Sequence, residues 1–233
     1  MTNETVPEFT ILGRGQAGQA LASAWGDRVA LLPHSARPEG LVLLAVPDRA
    51  IEELASHFPG RCVHLSGSLH LPAVPSAHPL TSFDGIARDW RGTPLAITGD
   101  VPEAILLAFE ALGFQPFPLR AKDKARYHAC AVLTSGHAAS LWLGAARLLE
   151  EVGISLPGRG LMPLAEATVR NIAAKGVSGR TGPFARGDES TIARDAEALP
   201  EDWRAIFLSL GRLGQEGTPP AGTRTESRRG GPR

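Results

Sequence analysis

A glycine-rich segment between a strand pattern and a helix pattern constrains the fold of this chain more than any other feature. Residues 13–18 read GRGQAG and directly follow the apolar run FTIL at 9–12. In such a GxGxxG segment the first glycine permits a tight turn, the second lets a pyrophosphate approach the backbone, and the third lets the helix pack on the strand. The free N–H groups of the helix N-terminus then face the phosphate. The segment predicts dinucleotide binding, and a turn that only packs is the alternative. The predicted contacts are Gly13, Arg14, Gly15, Gln16, Ala17 and Gly18.

Short apolar runs alternate with helical patterns through the first half of the chain. The further apolar runs are 29–32, 41–46, 62–65 and 95–98, and the helical patterns are 16–25, 51–58 and 103–112. Continuous Val, Ile and Leu character suits strands covered on both faces, as in a parallel sheet. The alternation therefore predicts a doubly wound α/β domain over residues 1–119.

After residue 119 the sequence carries only helical patterns. They cover residues 122–152, 163–175, 190–199 and 202–213. These patterns predict an all-α domain over residues 120–213. Residues 214–233 contain no Val, Ile, Leu or aromatic residue and are rich in Gly, Pro and Arg, which predicts a disordered tail.

The segment after the second predicted strand bears on the choice between NAD and NADP. An acidic residue there would accept the 2′-hydroxyl of NAD, but the chain carries Ser35 and Arg37, which suit the 2′-phosphate of NADP. NADP is therefore predicted, with NAD the less favoured cofactor. The segment 38–40 is too short for a crossover helix, so the adenosine end of the site is expected to be open or remodelled.

Other candidate residues follow the later strands, at the edge where ligands of parallel sheets bind. Val46 and Pro47 follow the third predicted strand, and Ser66 and Gly67 follow the fourth. His78 stands in a His-Pro pair that we expect in a loop near the nicotinamide; a structural role is the alternative. The histidine spacings match no common metal site, so no metal is predicted.

Two polar clusters in the second half are candidates for catalysis. Tyr127 and His128 open the long helical pattern, and Ser135 lies within about 20° of His128 around the helix. His128 is the candidate proton donor because an imidazole exchanges its proton near neutral pH. Arg186, in the loop TGPFARGD, could clamp a carboxylate or phosphate. The alternative for His128 is a structural role, with its polar atoms hydrogen-bonded in the core or on the surface. The alternative for Arg186 is that it pairs with Asp188 or caps a helix.

Composition excludes several classes of protein. Lys+Arg and Asp+Glu both total 24, which argues against a dedicated nucleic-acid binder. Cys62 and Cys130 match no metal or redox spacing and fit a reducing compartment. The sequence shows neither an apolar run of about 18 residues nor a signal-peptide pattern, so we expect a cytoplasmic protein without a membrane partner.

Seven motifs in this order resemble a known family. They are GRGQAG (13–18), LLAVPD (43–48), HLSGS (64–68), HPLTSF (78–83), ITGD (97–100), YHACAVLTSG (127–136) and TGPFARGD (181–188). Over residues 9–213 the chain resembles the bacterial Rossmann-like short-subunit dehydrogenase-like proteins, which carry a second domain of unknown function. That family is similar to pyrroline-5-carboxylate reductase, 6-phosphogluconate dehydrogenase-like enzymes and deazaflavin-dependent NADP reductases.

The resemblance implies an architecture, and the chain departs from the pattern of the family in three places. It implies a Rossmann-like parallel-sheet domain, an all-α domain like the C-terminal domain of 6-phosphogluconate dehydrogenase, and a homodimer formed through the all-α domain. The chain departs from the family in lacking the helix between its second and third strands, in having Gly136 where Asn is usual, and in having Asp195 where His is common.

These observations favour an NAD(P)-dependent oxidoreductase that acts on a small anionic carbonyl, imine or hydroxy compound. The alternative is a non-catalytic nucleotide-binding or regulatory protein on a degenerate dehydrogenase scaffold, because a fold does not fix a function.

Overall fold

The computed structural model describes residues 8–215. The chain forms two compact units, Met1–Ser140 and Leu141–Arg233. This division falls inside a long helix, whereas the predicted boundary between residues 119 and 120 follows the change in sequence pattern. That boundary stays a prediction.

The first unit is built on one seven-stranded sheet with the order β2-β1-β3-β4-β5-β6-β7. The strands are β1 Phe9–Leu12, β2 Val29–Leu32, β3 Val42–Leu44, β4 Cys62–His64, β5 Ser76–Pro79, β6 Pro94–Thr98 and β7 Gln115–Pro118. Three helices connect strands: α1 Gln16–Trp25, α2 Asp48–Ser56 and α3 Glu103–Ala111. The predicted Rossmann-like α/β fold with a following helical region is confirmed.

The sheet is mixed rather than wholly parallel. All neighbouring strands pair in parallel except β5 and β6, which are antiparallel. The reversal occurs because segment 80–93 returns the chain without a crossover helix. The patterns did not predict β5 or β7, since Ser76–Pro79 is half polar and Gln115–Pro118 contains two prolines, which strands tolerate at a sheet edge. His78 is therefore a strand residue, and the loop expected around the His-Pro pair was wrong.

Side-chain alternation along the strands gives the sheet two packed faces. Ile11, Leu43 and Val63 lie on one face with the apolar sides of α1 and α3. There the Trp25 indole N–H donates to the Ala108 carbonyl at 2.8 Å. The other face packs against α2 and holds a second apolar cluster. Its members are Leu12, Val42, Leu44, Ile51, Leu54, Ala55, Phe58 and Cys62.

The connection from β2 to β3 contains no helix in segment 33–41, which is described throughout, so the predicted departure is confirmed. The Arg61 guanidinium holds this connection by donating to the carbonyls of Pro38 at 3.1 Å and Gly40 at 2.6 Å. The chain thus returns directly to the sheet beside β1.

A helical stretch of 31 residues, Ala121–Glu151, follows the sheet. It contains α4 Lys124–Val132, a π-helical turn Leu133–His137 and α5 Ala138–Glu151. By length and composition alone this stretch could cross a membrane, a test that core helices of soluble proteins also pass. The predicted long helix is confirmed, with a π turn that the pattern did not predict.

The second unit is helical over its described residues. After α5 it contains α6 Met162–Lys175, α7 Pro183–Arg186, α8 Glu189–Glu197 and α9 Glu201–Gln215. Gly144 lets Trp203 pack closely on α5, because an added Cβ would overlap the indole. Helix α9 extends two residues into the predicted tail, and the rest of that tail lies outside the described residues.

The turn between β1 and α1 shows the tight turn and the close helix packing that the motif predicts for its first and third glycines. Gly13 has φ +118°, and a Cβ there would overlap the Ala45 carbonyl oxygen. A Cβ at Gly18 would overlap the Gly13 carbonyl oxygen. Gly15, the residue before α1, has open space around its Cβ position and φ −76°. Two glycines are therefore required by packing, and the third leaves room beside the helix N-terminus.

We predict that Gly18→Ala lowers the free energy of unfolding by about 2–3 kcal/mol, because the added methyl group displaces α1 from the turn. Gly15→Ala, the matched control, should cost about 1 kcal/mol or less, the effect of a poorer N-cap residue. Urea unfolding followed by circular dichroism compares the two variants. Equal losses of stability would contradict the close packing of Gly18.

Candidate functional site

The candidate site lies along the edge of the sheet where β1, β3, β4 and β5 end. These strands are neighbours and run in the same direction, so the segments that follow them share that edge. The chain leaves β1 for β2 on one side and later places β3 on the other, and ligands of open α/β sheets bind at such a switch point. From β1 to β5 the edge spans three strand spacings, about 14 Å.

A cavity of about 350 Å³ lies at the β5 end of this edge, against the start of the long helix. It brings together four residues that the sequence predicted for the site, namely His78, Tyr127, His128 and Ser135. The remaining lining residues are Leu80, Thr81, Ser82, Cys130, Ala131, Val132 and Thr134. A strand residue and residues of one helix thus meet around a single cavity.

His78 and Tyr127 form a hydrogen-bonded pair in the wall of this cavity. The Nδ1 atom of His78 lies 2.9 Å from the Tyr127 hydroxyl oxygen, and the donor depends on the imidazole tautomer. If Nδ1 carries the proton it donates to the phenol oxygen, and the Tyr127 hydroxyl then remains free to donate to a ligand. The His128 ring centroid lies 6.0 Å from that of His78.

Burial keeps this pair uncharged at neutral pH. It lowers the pKa of His78 from 6.5 to about 4, with smaller contributions in the same direction from the charges of His128 and Lys124. Burial also raises the pKa of Tyr127 from 10.0 to about 12. The neutral pair therefore keeps one free proton, on the Tyr127 hydroxyl or on His78 Nε2 according to the tautomer, and can donate it to a substrate atom that gains negative charge.

Gly67, which follows β4, lies close to two of the rings that line the cavity. A Cβ at this position would lie 2.8 Å from both His78 Nε2 and His128 Cδ2, so only glycine lets the backbone of the turn approach both rings. Ser66, Gly67 and Ser68 form the turn that follows β4, which we call the β4 turn. The predicted residues Ser66 and Gly67 thus lie beside the cavity.

Two charged residues that the sequence analysis did not predict hold the β4 turn. The Ser66 and Ser68 hydroxyls donate to Asp48 Oδ2 at 2.7 and 2.8 Å. The Lys124 ammonium donates to the Ser66 carbonyl at 3.0 Å and to the Ser76 hydroxyl at 2.5 Å. A signal for Lys124 was present, since it precedes His128 by four residues and so shares its side of α4.

His64 also contacts the β4 turn. Its Nδ1 accepts from the Ser66 N–H at 3.2 Å, which places the ring proton on Nε2, an atom without a hydrogen-bond partner among the described residues. Burial, followed by the charge of Lys124, lowers the pKa of His64 from 6.5 to about 4. The ring is therefore neutral in the folded protein.

The π-helical turn shapes the far side of the cavity. The Thr134 and Ser135 hydroxyls each donate to a carbonyl four residues earlier, those of Cys130 and Ala131, at 2.9 Å. Gly136 is exposed, and the nearest atom to an added Cβ would be 4.0 Å away. The position thus has room for a side chain that this protein lacks.

The other predicted cofactor residues lie at the β1, β2 and β3 ends of the sheet. Arg14, Gln16 and Ala17 form the start of α1 and its preceding turn, and Val46 and Pro47 precede α2. Ser35 and Arg37 are exposed after β2. The Arg37 guanidinium donates to two carbonyls of its own loop, those of His34 at 3.2 Å and Ala36 at 3.0 Å.

Arg186 belongs to the second unit, where it ends α7 and is exposed. Asp188 caps α8 by accepting from the Thr191 N–H at 3.1 Å. The charge of Arg186 is a minor cause of the lowered pKa of Asp188, after the hydrogen bonds of that carboxylate. A ligand role for Arg186 stays a prediction.

We predict that the protein loses stability as the pH falls from about 6.5 to about 4. In this range His64 and His78 become protonated in the unfolded chain, whereas in the folded protein both rings stay neutral. The full effect is on the order of 3 kcal/mol for each histidine. Urea unfolding at several pH values measures it. His64→Gln should flatten the profile and the exposed control His34→Gln should not; parallel profiles would contradict the assignment.

Comparison with solved structures places this fold among known proteins. A Bacteroides fragilis protein named "putative NADP oxidoreductase" is 20% identical, with a TM-score of 0.71 over 91% of this chain and 99% of that chain. Protein TM1727 from Thermotoga maritima is 20% identical, with a TM-score of 0.68 over 89% and 97% of the two chains. The reductive aminase of Aspergillus terreus, in complex with NADPH, is 15% identical, with a TM-score of 0.59 over 91% and 93%. At these identities the likeness shows the fold.

No curated protein matches the sequence. A family model described as "Domain of unknown function (DUF2520)" matches residues 93–213, which is more than half of the chain. The match includes β6, β7 and the whole helical region described from α4 to near the end of α9. The chain therefore belongs to the DUF2520 family.

Proposed function

We propose that this protein is an NADP(H)-dependent oxidoreductase that acts on a small carbonyl, imine or hydroxy compound. One observation carries the proposal. A glycine turn with open space at Gly15 and a cavity lined by proton-bearing side chains lie at opposite ends of one sheet edge. The solved proteins of this fold include an NADPH complex of a reductive aminase, which supports the proposal.

The glycine turn fits a pyrophosphate by its shape and its free donors. Within residues 8–215 no side-chain hydrogen bond caps α1 at Gly15, so the N–H groups of its first turn can donate to an anion. Gly15 supplies the close approach, while Val46, Pro47, Ser66 and Gly67 would line the path to His78. The bound cofactor would supply or accept the hydride.

The preference for NADP rests on the segment after β2. No carboxylate stands at 33–37, and Ser35 and Arg37 are exposed there. The Arg37 guanidinium donates hydrogen bonds to two carbonyls of its own loop, and a charge-assisted pair with a phosphate could replace them.

The proton would come from the cavity. We propose His128 as the donor, with the His78–Tyr127 pair presenting a neutral N–H or O–H to the same substrate atom. Ser135 also lines the cavity and would orient the substrate. A carboxylate-binding role for Arg186, whose guanidinium is exposed in the second unit, stays a prediction of the sequence. The relation to pyrroline-5-carboxylate reductase and 6-phosphogluconate dehydrogenase likewise stays a prediction.

A non-catalytic nucleotide-binding protein is the second candidate. Two observations favour it: the connection from β2 to β3 has no helix, and Gly136 has no side chain to offer a substrate. Such a protein would bind an adenine nucleotide, and it would not bury a nicotinamide ring away from solvent.

We further propose a homodimer formed through the helical unit. Helices α5 and α6 expose large apolar side chains, with Leu143 65% and Leu164 68% accessible. Monomeric soluble proteins rarely expose large apolar patches. A second copy is the occupant we propose, and sedimentation velocity should give twice the 24.6 kDa of the chain. A monomer would contradict this.

We predict micromolar binding of NADPH, tighter than that of NADH, in a calorimetric titration. Gly15→Asp should abolish binding, because its carboxylate repels the pyrophosphate while Asp remains a good N-cap for α1. Gly15→Asn has the same size without the charge and should weaken binding less. Equal affinities in all three proteins would contradict the assigned phosphate site.

A substrate is first sought among small ketones, aldehydes and imines, as a compound in whose presence the protein oxidises NADPH. With that substrate we predict that His128→Ala lowers kcat by about 10²–10⁴, the usual contribution of general acid–base catalysis. The control is His137→Ala, an exposed histidine of the π turn. A kcat within about twofold of the parent would remove His128 from the mechanism.

A further inference from the structure

Lys124 is a buried cation with no part in the proposed hydride and proton transfers. Its relative exposure is 1%, although it is the first residue of α4. A lysine is almost never so buried unless its charge is compensated. Its ammonium donates to the Ser66 carbonyl and the Ser76 hydroxyl, and it thereby joins α4 to the β4 turn and to β5.

Asp48 holds the same turn through the turn's side-chain hydroxyls. Its carboxylate accepts from the Ser66 and Ser68 hydroxyls, while the Ser66 hydroxyl oxygen accepts from the Leu69 N–H at 2.9 Å. The backbone of the β4 turn is therefore fixed between an anion on α2 and a cation on α4. The negative charge of Asp48 favours the charged form of Lys124.

The β4 turn in turn contacts the cavity. Gly67 lies so close to the rings of His78 and His128 that an added Cβ would touch both. A displacement of the turn would therefore move these rings or open a gap beside them. Lys124 acts on the imidazoles through the backbone that it holds.

We propose that Lys124 is a positioning residue that fixes the β4 turn against His78 and His128. It thereby sets the geometry of the sheet edge at the end of β4 and of the proton-donating groups. The proposal rests on the proposed function for its catalytic meaning. Its structural content, the restraint of the turn, can be tested without cofactor or substrate.

The charge of Lys124 has a second consequence. The groups that interact with this charge are Asp48 on α2, His64 on β4 and His78 on β5. Burial lowers the pKa of Lys124 from 10.5 to about 8, so the ammonium form still predominates at pH 7. Its charge contributes to the lowered pKa of both His64 and His78. Removing this charge should therefore raise the pKa of His78.

The direct test is amide hydrogen exchange in the full chain, comparing Lys124→Met with Lys122→Met. Lys122 is exposed and two residues away, so the control removes the same charge without touching the turn. We expect exchange at residues 66–69 to accelerate about tenfold or more in Lys124→Met alone, with β1 and α9 unchanged. Equal exchange at residues 66–69 in the two variants would overturn the proposal.

Ser76→Ala provides a second variant that keeps the buried charge and removes one of its acceptors. It should accelerate exchange at residues 66–69 by a smaller factor, and no acceleration would contradict the role of the Lys124–Ser76 hydrogen bond. NMR titration of the His78 ring separates charge from packing, because the pKa should rise in Lys124→Met and stay unchanged in Ser76→Ala. An unchanged pKa in both would overturn the electrostatic part.

Calorimetry with NADPH distinguishes failure of this proposal from failure of the proposed function. If the parent binds NADPH, Lys124→Met should weaken binding about tenfold, and Lys122→Met should not. If the parent binds neither NADPH nor NADH, the proposed function is wrong, while the exchange experiment still decides whether Lys124 restrains the turn.

Discussion

The common direction of β1, β3, β4 and β5 is the constraint on which the candidate site depends. Because these neighbouring strands run in parallel, their carboxyl ends align, and residues far apart in sequence meet at one edge. The glycine turn after β1 and His78 at the end of β5 belong to the same rigid sheet. The distance between the proposed phosphate and proton sites is therefore set by strand spacing and not by mobile loops.

Two side chains in the wall of the cavity carry protons without carrying charge. His78 and Tyr127 are both neutral at physiological pH because burial opposes their charged forms. Asp48 and Lys124 are the charged residues that hold the neighbouring β4 turn, and each is hydrogen-bonded to Ser66. Neutral donors in a partly buried cavity stabilise developing negative charge without first having to release a counter-ion.

The sequence predicted those features whose signals are local. The glycine turn, the strand β1, helices α1 and α3 and the long helix all follow from short-range patterns, and the structure contains them. It did not predict β5, because Ser76–Pro79 becomes a strand only by pairing with β4 and β6. The roles of Asp48 and Lys124 were also missed, since each depends on contacts across 18 to 58 positions of the chain. Tyr127, His128 and Ser135 line one cavity because one helical stretch carries all three, and their role in catalysis stays a prediction.

A crystal structure of the protein with NADPH would test the central claim most directly. We expect the pyrophosphate at the N-terminus of α1 beside Gly15, and the nicotinamide along the sheet edge with its reactive carbon facing the cavity of His78, Tyr127 and His128. A nucleotide bound elsewhere, or one whose nicotinamide points away from that cavity, would contradict it.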